Sequence, residues 1–277
     1  MALCSGYLAS CIQVAGPRKE PASLRVFFLD VGQGDACLFR TPGHQWFLYD
    51  TGNKEENLLS FLNSAGVDTL AAVFISHPDR DHFGALASIS PQIPVKKLYL
   101  PLFAEDKPGP DAFWGLDAFQ GEKDTLYAGD TLVWDTGVKA RVLWPFRHAL
   151  HDGNELSTVL RIEYGSRSVL LTGDIGNAAE MEMLRTGIRP SAEIYKAAHH
   201  GSRTSNGLPF LSAVGPRWAV ISCDPVAYGH PHEETLAGLS LILGDSARIL
   251  RTYRDGNIGF ELGEHGIMRL ARTDFGW

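Results

Sequence analysis

Cysteine is sparse in this chain of 277 residues: Cys4, Cys11, Cys37 and Cys223 show no C-x-x-C spacing and give no disulfide framework or thiolate metal cluster. Cys37 and Cys223 sit in apolar, strand-like runs, where a free thiol behaves as a small buried hydrophobe. Basic clusters are equally scarce. The net charge is −7, and the loose trio Arg248, Arg251 and Arg254 reads as solvated surface. This argues against a broad basic surface for nucleic acid, because sequence-independent affinity comes from Lys and Arg neutralising phosphates. No segment of the domain approaches the roughly 20 apolar residues that span a bilayer. No linker-like break separates the polar motifs between residues 30 and 231, so one domain over 23–277 is the simpler account. A hydrophobic content of 44% suffices for its core.

What the chain does have is five separated polar motifs: DVGQGDA (Asp30 to Ala36), DTG (Asp50 to Gly52), SHPDRDH (Ser76 to His82), TGD (Thr172 to Asp174) and AHHGS (Ala198 to Ser202). The third carries most weight, with His77, Asp79, Asp81 and His82 directly after the apolar run Leu70 to Ile75. Imidazole and carboxylate suit Zn²⁺, Mn²⁺ or Fe²⁺. His77 and Asp79, two residues apart in extended backbone, project to one side, and Asp81 and His82 can turn into the same space from a helix start. Such a loop can feed two ions. The competing reading is a polar turn with Asp79 or Asp81 capping the helix. Support from Asp174 and from the pair His199-His200, each after its own apolar strand, favours the metal site.

Hydrophobic spacing predicts strands at 24–29, 36–41, 46–50, 70–75, 97–100, 140–144, 157–163, 168–172, 193–198, 218–222, 248–252, 258–262 and 267–270. It predicts helices at 55–65, 178–184, 208–214 and 233–243, and one after the metal loop on Phe83, Leu86 and Ile89. The stretch Phe103 to Gly121 has no clear period and reads as an insertion bordering the site or as a packed surface loop. Periodicity supports an α/β or α+β fold with two mixed sheets covered by helices.

These motifs, with Asn154-x-x-Ser157 and Tyr228-Gly229-His230-Pro231, resemble the metallo-β-lactamase superfamily, and specifically the hydrolase domain of ComEC-type DNA-uptake competence proteins, over roughly Leu24 to Leu270. The usual loop of the superfamily is H-x-H-x-D-H; here Asp79 takes the second His position, as is typical of that branch. The resemblance implies an αββα four-layer sandwich with the site along one sheet edge. It implies two divalent ions, Zn or Mn: one held by His77 and Asp79, a second by Asp81, His82 and the HHGS histidine, with Asp174 bridging. For that histidine His200 is favoured, since it directly precedes Gly201, which leaves His199 facing the substrate. The superfamily commonly adds one more His from the loop before TGD, where this chain offers Asn154, so a one-metal or Mn-type site stays open.

Function then reads as metal-dependent hydrolysis of DNA or another phosphodiester, without a stable nucleic-acid complex. Asp81 orients the nucleophilic water, and His199 or His230 protonates the leaving group or contacts a phosphoryl oxygen. Asp30, Asp35, Asp50 and Asn154 are expected behind the ligands rather than on the metal. Lys196 and Ser202 are read either as contacts to an anionic substrate or as exposed polarity. The rival readings are a hydrolase of small esters (lactone, phosphocholine ester or β-lactam) and a binding module with a degraded metal site. Leu8-Ala9-Ser10-Cys11 resembles a bacterial lipobox, which implies export with a lipid anchor on Cys11. Residues 1–22 otherwise read as a remnant of a membrane segment or as the product of a start site placed too far downstream.

Overall fold

A computed structural model of the protein describes residues 22–102, 119–151, 153–271 and 275. The lipobox-like Cys11 and nearly all of the stretch 103–121 lie outside the described residues. Along the chain run β1 Leu24–Phe28, β2 Cys37–Arg40, β3 Trp46–Tyr49, α1 Glu55–Ser64, β4 Leu70–Phe74, α2 Arg80–Phe83, α3 Leu86–Ile89, β5 Lys97–Leu100, β6 Glu122–Thr125, β7 Thr131–Asp135 and β8 Val138–Trp144. Then follow β9 Val159–Tyr164, β10 Arg167–Leu171, α4 Asn177–Arg185, β11 Ile194–Lys196, α5 Leu208–Val214, β12 Trp218–Ile221, α6 Pro225–Tyr228, α7 Glu233–Leu243, β13 Ile249–Arg251, α8 Thr252–Asp255, β14 Ile258–Gly263 and β15 Gly266–Leu270.

Among the described residues these strands form two mixed sheets, ordered β15-β14-β1-β2-β3-β4-β5-β6 and β13-β12-β11-β10-β9-β8-β7. Each sheet changes from antiparallel to parallel pairing in its middle, at β3 in the first and at β10 in the second. Period-two alternation fills both faces. On β1, Val26 and Phe28 point between the sheets, while Phe27 packs outward under Phe61 of α1. On β12, Val220 points between the sheets and Ala219 and Ile221 pack outward with Phe210, Leu211 and Leu239 of α5 and α7. Three buried apolar layers between four layers of structure are the burial pattern of an αββα sandwich.

The helix expected on Phe83, Leu86 and Ile89 is broken into α2 and α3 around Gly84 and Ala85. The exposed, charged β6 and the half-exposed β7 had no alternating apolar pattern to announce them; they are the outermost strands of their sheets. Cys37 and Cys223 are buried free thiols. Among the described residues no helix is long and apolar enough to cross a membrane.

Candidate metal centre

All five motifs lie where chain leaves a strand at one end of the sandwich: DVGQGDA after β1, DTG after β3, SHPDRDH after β4, TGD after β10 and AHHGS after β11. The first sheet therefore supplies Asp50, His77, Asp79, Asp81 and His82, and the second supplies Asp174, His199 and His200. Backbone bonds lock the loops together. Asp35 N donates to Asp81 O (3.1 Å), Thr51 N to His82 O (2.6 Å), Thr158 N to Ser76 O (2.9 Å) and His199 N to Gly173 O (3.1 Å). Two glycines allow this approach. A Cβ on Gly34 would lie 2.3 Å from Asp81 O, and one on Gly173 would lie 2.8 Å from the Cβ atoms of both Ser76 and Ser157.

Hydrogen bonds from behind fix the three innermost histidines. His82 Nδ1 donates to Asp50 Oδ2 at 2.8 Å. His200 Nδ1 faces the Ser222 carbonyl at 2.9 Å, an acceptor only, so this nitrogen carries the proton. Ser76 Oγ donates to Asp50 Oδ2 (2.7 Å) and accepts from His77 Nδ1 (3.0 Å). Each bond leaves the Nε2 lone pair of its neutral imidazole facing the centre. There, His82 Nε2 and His200 Nε2 lie 3.3 Å apart, Asp174 Oδ1 is 3.2 Å from the first, and Asp174 Oδ2 and Asp81 Oδ2 are 3.3 and 3.2 Å from the second. His77 Nε2 is 3.9 Å from Asp174 Oδ2 and 3.6 Å from Asp79 Oδ2. His77 Nε2 and Asp174 Oδ1 are buried without a hydrogen-bond partner. Facing lone pairs beside carboxylates repel unless a cation or proton lies among them, so these donors fit divalent metal in both number and direction.

Electrostatics repeat the demand for positive charge. Burial by itself pulls the His82 and His200 imidazolium forms down, but Asp174 with Asp50 for the first, and Asp174, Asp35 and Asp81 for the second, hold both well above the ordinary histidine range. Burial likewise opposes ionisation of Asp174, yet the two histidines hold its carboxyl well below the usual carboxylate range. A divalent ion held by these residues would take the place of those protons. The pattern differs outside the cluster. Burial lowers His199, and burial with His200, His232 and His199 lowers His230 to about 4.

The remaining expectations sort by contact. Asp79 stands at the N-cap of α2 without making a side-chain cap bond, so capping does not account for it. His199, with 29% of its side chain exposed, brings Nε2 to 3.8 Å from Asp174 Oδ2 and is more open than the buried His200. The His230 ring lies 5.8 Å from His199 and 6.3 Å from His200, with Nδ1 buried and without a hydrogen-bond partner. Asp35 forms a group with His82, Asp174 and His200 in which one potential ligand atom of each lies within 4.8 Å of the others. Its oxygens, however, face the Nδ1 sides of His200 (3.5 Å) and His82 (4.0 Å), away from the lone pairs. Asp30 turns elsewhere: its carboxylate accepts from Gly32 N, and it lines a surface groove with Asn57 and Asn257. Asn154 acts through its carbonyl, which receives Ser157 N and Oγ, while Ser157 Oγ accepts from Asp174 N (3.1 Å).

Lys196 corrects the reading that set it before the substrate. It is 3% exposed and its ammonium is paired with Asp35, because both faces of β11 are covered in a sandwich core. Ser202 is buried as well, and its hydroxyl bonds Thr204.

Several supports gave no sequence signal. His199 and His200 both adopt left-handed backbone, at φ 49° and 53°, an unfavourable conformation for residues with a Cβ. Asn206 clamps this turn: Oδ1 accepts from Ala198 N (3.0 Å) and from Tyr195 OH (2.8 Å), and Nδ2 donates to Ala198 O (3.0 Å) and Ser202 O (3.3 Å). Glu180 of α4 accepts from Asn206 N and Gly207 N at 2.6 and 2.9 Å, and Glu155 accepts from Gly176 N and Ala179 N at 3.1 and 2.9 Å. Glu155 thereby caps α4 across the chain, directly after the TGD turn.

A buried His–Asp centre at one end of an αββα sandwich defines a metal-site protein of a known architecture. Residues 29–225 match the metallo-beta-lactamase superfamily model, and the chain belongs to that superfamily. It is 32% identical over 270 residues to competence protein ComA of Neisseria gonorrhoeae and 29% identical over 256 residues to ComE operon protein 3 of Bacillus subtilis. The matches cover 95% and 85% of this chain but 36% and 32% of those proteins, so the chain spans about a third of the curated relatives it matches. These likenesses support a ComEC-type metallo-β-lactamase domain. The diiron β-hydroxylase CmlA of Streptomyces venezuelae shares the fold at TM-score 0.56 and 15% identity, over 92% of this chain and 55% of that one. A diphosphatase of the PhnP family does so at TM-score 0.50 and 14% identity, over 86% and 98%. Such distances establish the fold alone, and the fold does not name a reaction.

Proposed function

We propose that the chain is a metal-dependent phosphodiesterase that cleaves DNA strands. The observation that carries this reading is the convergence of the His77, His82 and His200 Nε2 atoms on Asp174, in a chain whose relatives include named competence proteins. His77 and Asp79 would hold one divalent ion, Zn or Mn, and Asp81, His82 and His200 a second, with Asp174 between them. Bound divalent ions supply a nucleophilic hydroxide near neutral pH and neutralise charge on a phosphoryl group.

The chain's own residues then set direction and access. Asp81, with its side chain 24% exposed beside the buried His200, would orient the attacking water. The partly exposed His199 and, behind it, the buried His230 offer imidazoles of lowered basicity. Of the two roles considered for them, a hydrogen bond to a phosphoryl oxygen suits that state better than proton donation. Asp50, Ser76 and Ser222 hold the ligand histidines in the tautomer that presents Nε2.

The test is metal content measured together with Mn²⁺ and Zn²⁺ reactivation on bis-p-nitrophenyl phosphate, single-stranded DNA and nitrocefin. Metal-dependent cleavage of the first two, abolished by EDTA, is the expected result. Efficient hydrolysis of nitrocefin or a lactone with both phosphodiesters intact overturns it in favour of a small-ester hydrolase. A chain that binds no metal under any condition is a binding module.

A further inference from the structure

Outside its metal centre, a DNA-cleaving chain with a net charge of −7 and no basic track has little phosphate neutralisation with which to hold a strand. Base stacking is the sequence-tolerant, charge-free alternative, because every base presents a π face to an aromatic side chain. The mouth of the metal centre carries one such side chain. Tyr228 ends α6 with 68% of its surface exposed, 6.1 Å from the His230 ring, which in turn lies 5.8 Å from His199 and 6.3 Å from His200. Val226 on the same turn is 91% exposed.

Single exposed apolar residues are ordinary, but this turn is built to hold its side chains outward. Asp224 Oδ1 caps Val226 N at 3.0 Å, Pro225 opens the turn, and Gly229 closes it in left-handed backbone at φ 70°. Asp224 N is tied at 3.1 Å to Gln33 Oε1 of the DVGQGDA loop, which belongs to the other sheet. The tie anchors the start of α6 to the loop after β1. Tyr228 is not buried in the core, so folding does not explain why an aromatic ring stands there.

We infer that Tyr228 is a nucleobase-stacking platform at the entrance to the metal centre, which seats the base next to the phosphate being cleaved and makes single-stranded nucleic acid the preferred phosphodiester. The inference rests on the phosphodiesterase reading. Stacking needs a splayed, unpaired base, which a duplex does not offer.

The full chain, loaded with Mn²⁺, would be assayed on a 12-mer of oligothymidylate and on the same backbone with abasic sites, as wild type, Tyr228→Ala and Tyr228→Phe. Loss of one stacked base corresponds to about a 5- to 150-fold rise in KM for Tyr228→Ala on the base-bearing strand, with kcat within about twofold. Tyr228→Phe, which keeps the ring and loses the hydroxyl, should stay close to wild type. On the abasic strand all three should perform alike and poorly. Equal KM for wild type and Tyr228→Ala on oligothymidylate overturns the inference, as does a loss shared by Tyr228→Phe or one confined to kcat. If wild type cleaves neither strand, fluorescence anisotropy of the same oligonucleotides carries the test. Binding that needs both the bases and the ring upholds stacking while the phosphodiesterase reading falls; absence of base-dependent binding overturns both.

Discussion

His82 and His200 come from different sheets and present their Nε2 atoms to each other across 3.3 Å, with each Nδ1 tied back to an oxygen of Asp50 or Ser222. Without metal, Asp174, with Asp50 for His82 and with Asp35 and Asp81 for His200, favours protons in that gap despite burial. Metal therefore displaces protons on binding, and affinity should rise with pH. Titration with Mn²⁺ or Zn²⁺ followed by thermal unfolding should give a larger upward shift of Tm at pH 8 than at pH 6, worth about 2.7 kcal/mol at a hundredfold excess over Kd. A shift independent of pH would mean that His82 and His200 are already neutral in the metal-free chain.

The metal loop gives a direct test. Asp81→Ala and His82→Ala should each lower bound metal and abolish hydrolysis, with the far-ultraviolet circular dichroism of the fold retained. Full activity in both variants would remove this loop from the active site. In the second loop, His200→Ala should lose metal, because its Nε2 lies within 3.3 Å of Asp174 and Asp81. His199→Ala should keep metal and lose turnover. Equal metal loss in the two histidine variants would reverse or merge their roles.

The Asp35–Lys196 pair joins the loop after β1 to the end of β11 and so bolts the two sheets together beside the ligands. Lys196→Met leaves a buried carboxylate unpaired and should cost about 3–5 kcal/mol in urea unfolding of the metal-free chain. The double variant with Asp35→Asn should recover most of that loss. Burial by itself raises the Asp35 carboxyl, but Lys196, then His200 and His82, bring it from 3.8 to about 2. A carboxyl lowered on folding contributes stability that is present above its unfolded value and lost as pH falls through the folded one. Acid unfolding of the metal-free wild type should therefore extend toward pH 2, and Asp35→Asn should remove the part of the pH dependence that lies between about 4 and 2.

The convergence of the candidate ligands was legible because their chemistry is written in residue type: His77, Asp79, Asp81 and His82 follow an apolar run, and metal-binding side chains rarely cluster so for other reasons. The sheets were legible wherever strands are buried on one or both faces, as in Leu70–Phe74 or Trp218–Ile221. Supports were not. Glu155 and Glu180 look like ordinary polar residues, and only the packing of α4 against the HHGS and TGD turns makes their carboxylates acceptors for backbone N–H groups. Lys196 looks like a substrate contact until the loop after β1, from the first sheet, covers it with Asp35. The edge strand β6 spells Glu-Lys-Asp-Thr and is held by pairing with β5 rather than by burial.

Asn206 is the sharpest case of such a hidden support, and it yields a test that separates shape from stability. Its own φ is 64°, a conformation glycine adopts freely, so Asn206→Gly removes the side chain without opposing the backbone, whereas Asn206→Ala does both. The side chain holds Ala198 by both N–H and C=O, and the next two residues are the left-handed histidines. If the clamp sets where His200 Nε2 points, Asn206→Gly should weaken metal binding about 10- to 100-fold, as loss of outer hydrogen bonds to ligands generally does. It should also alter the visible spectrum of the Co²⁺-loaded protein, which reports ligand geometry and is insensitive to a change in global stability. Asn206→Asp keeps the acceptor for Ala198 N but turns the amide donor toward Ala198 O and Ser202 O into a second acceptor, and should weaken binding further. An unchanged Co²⁺ spectrum with full metal affinity in Asn206→Gly would mean that the paired left-handed histidines hold their turn without help.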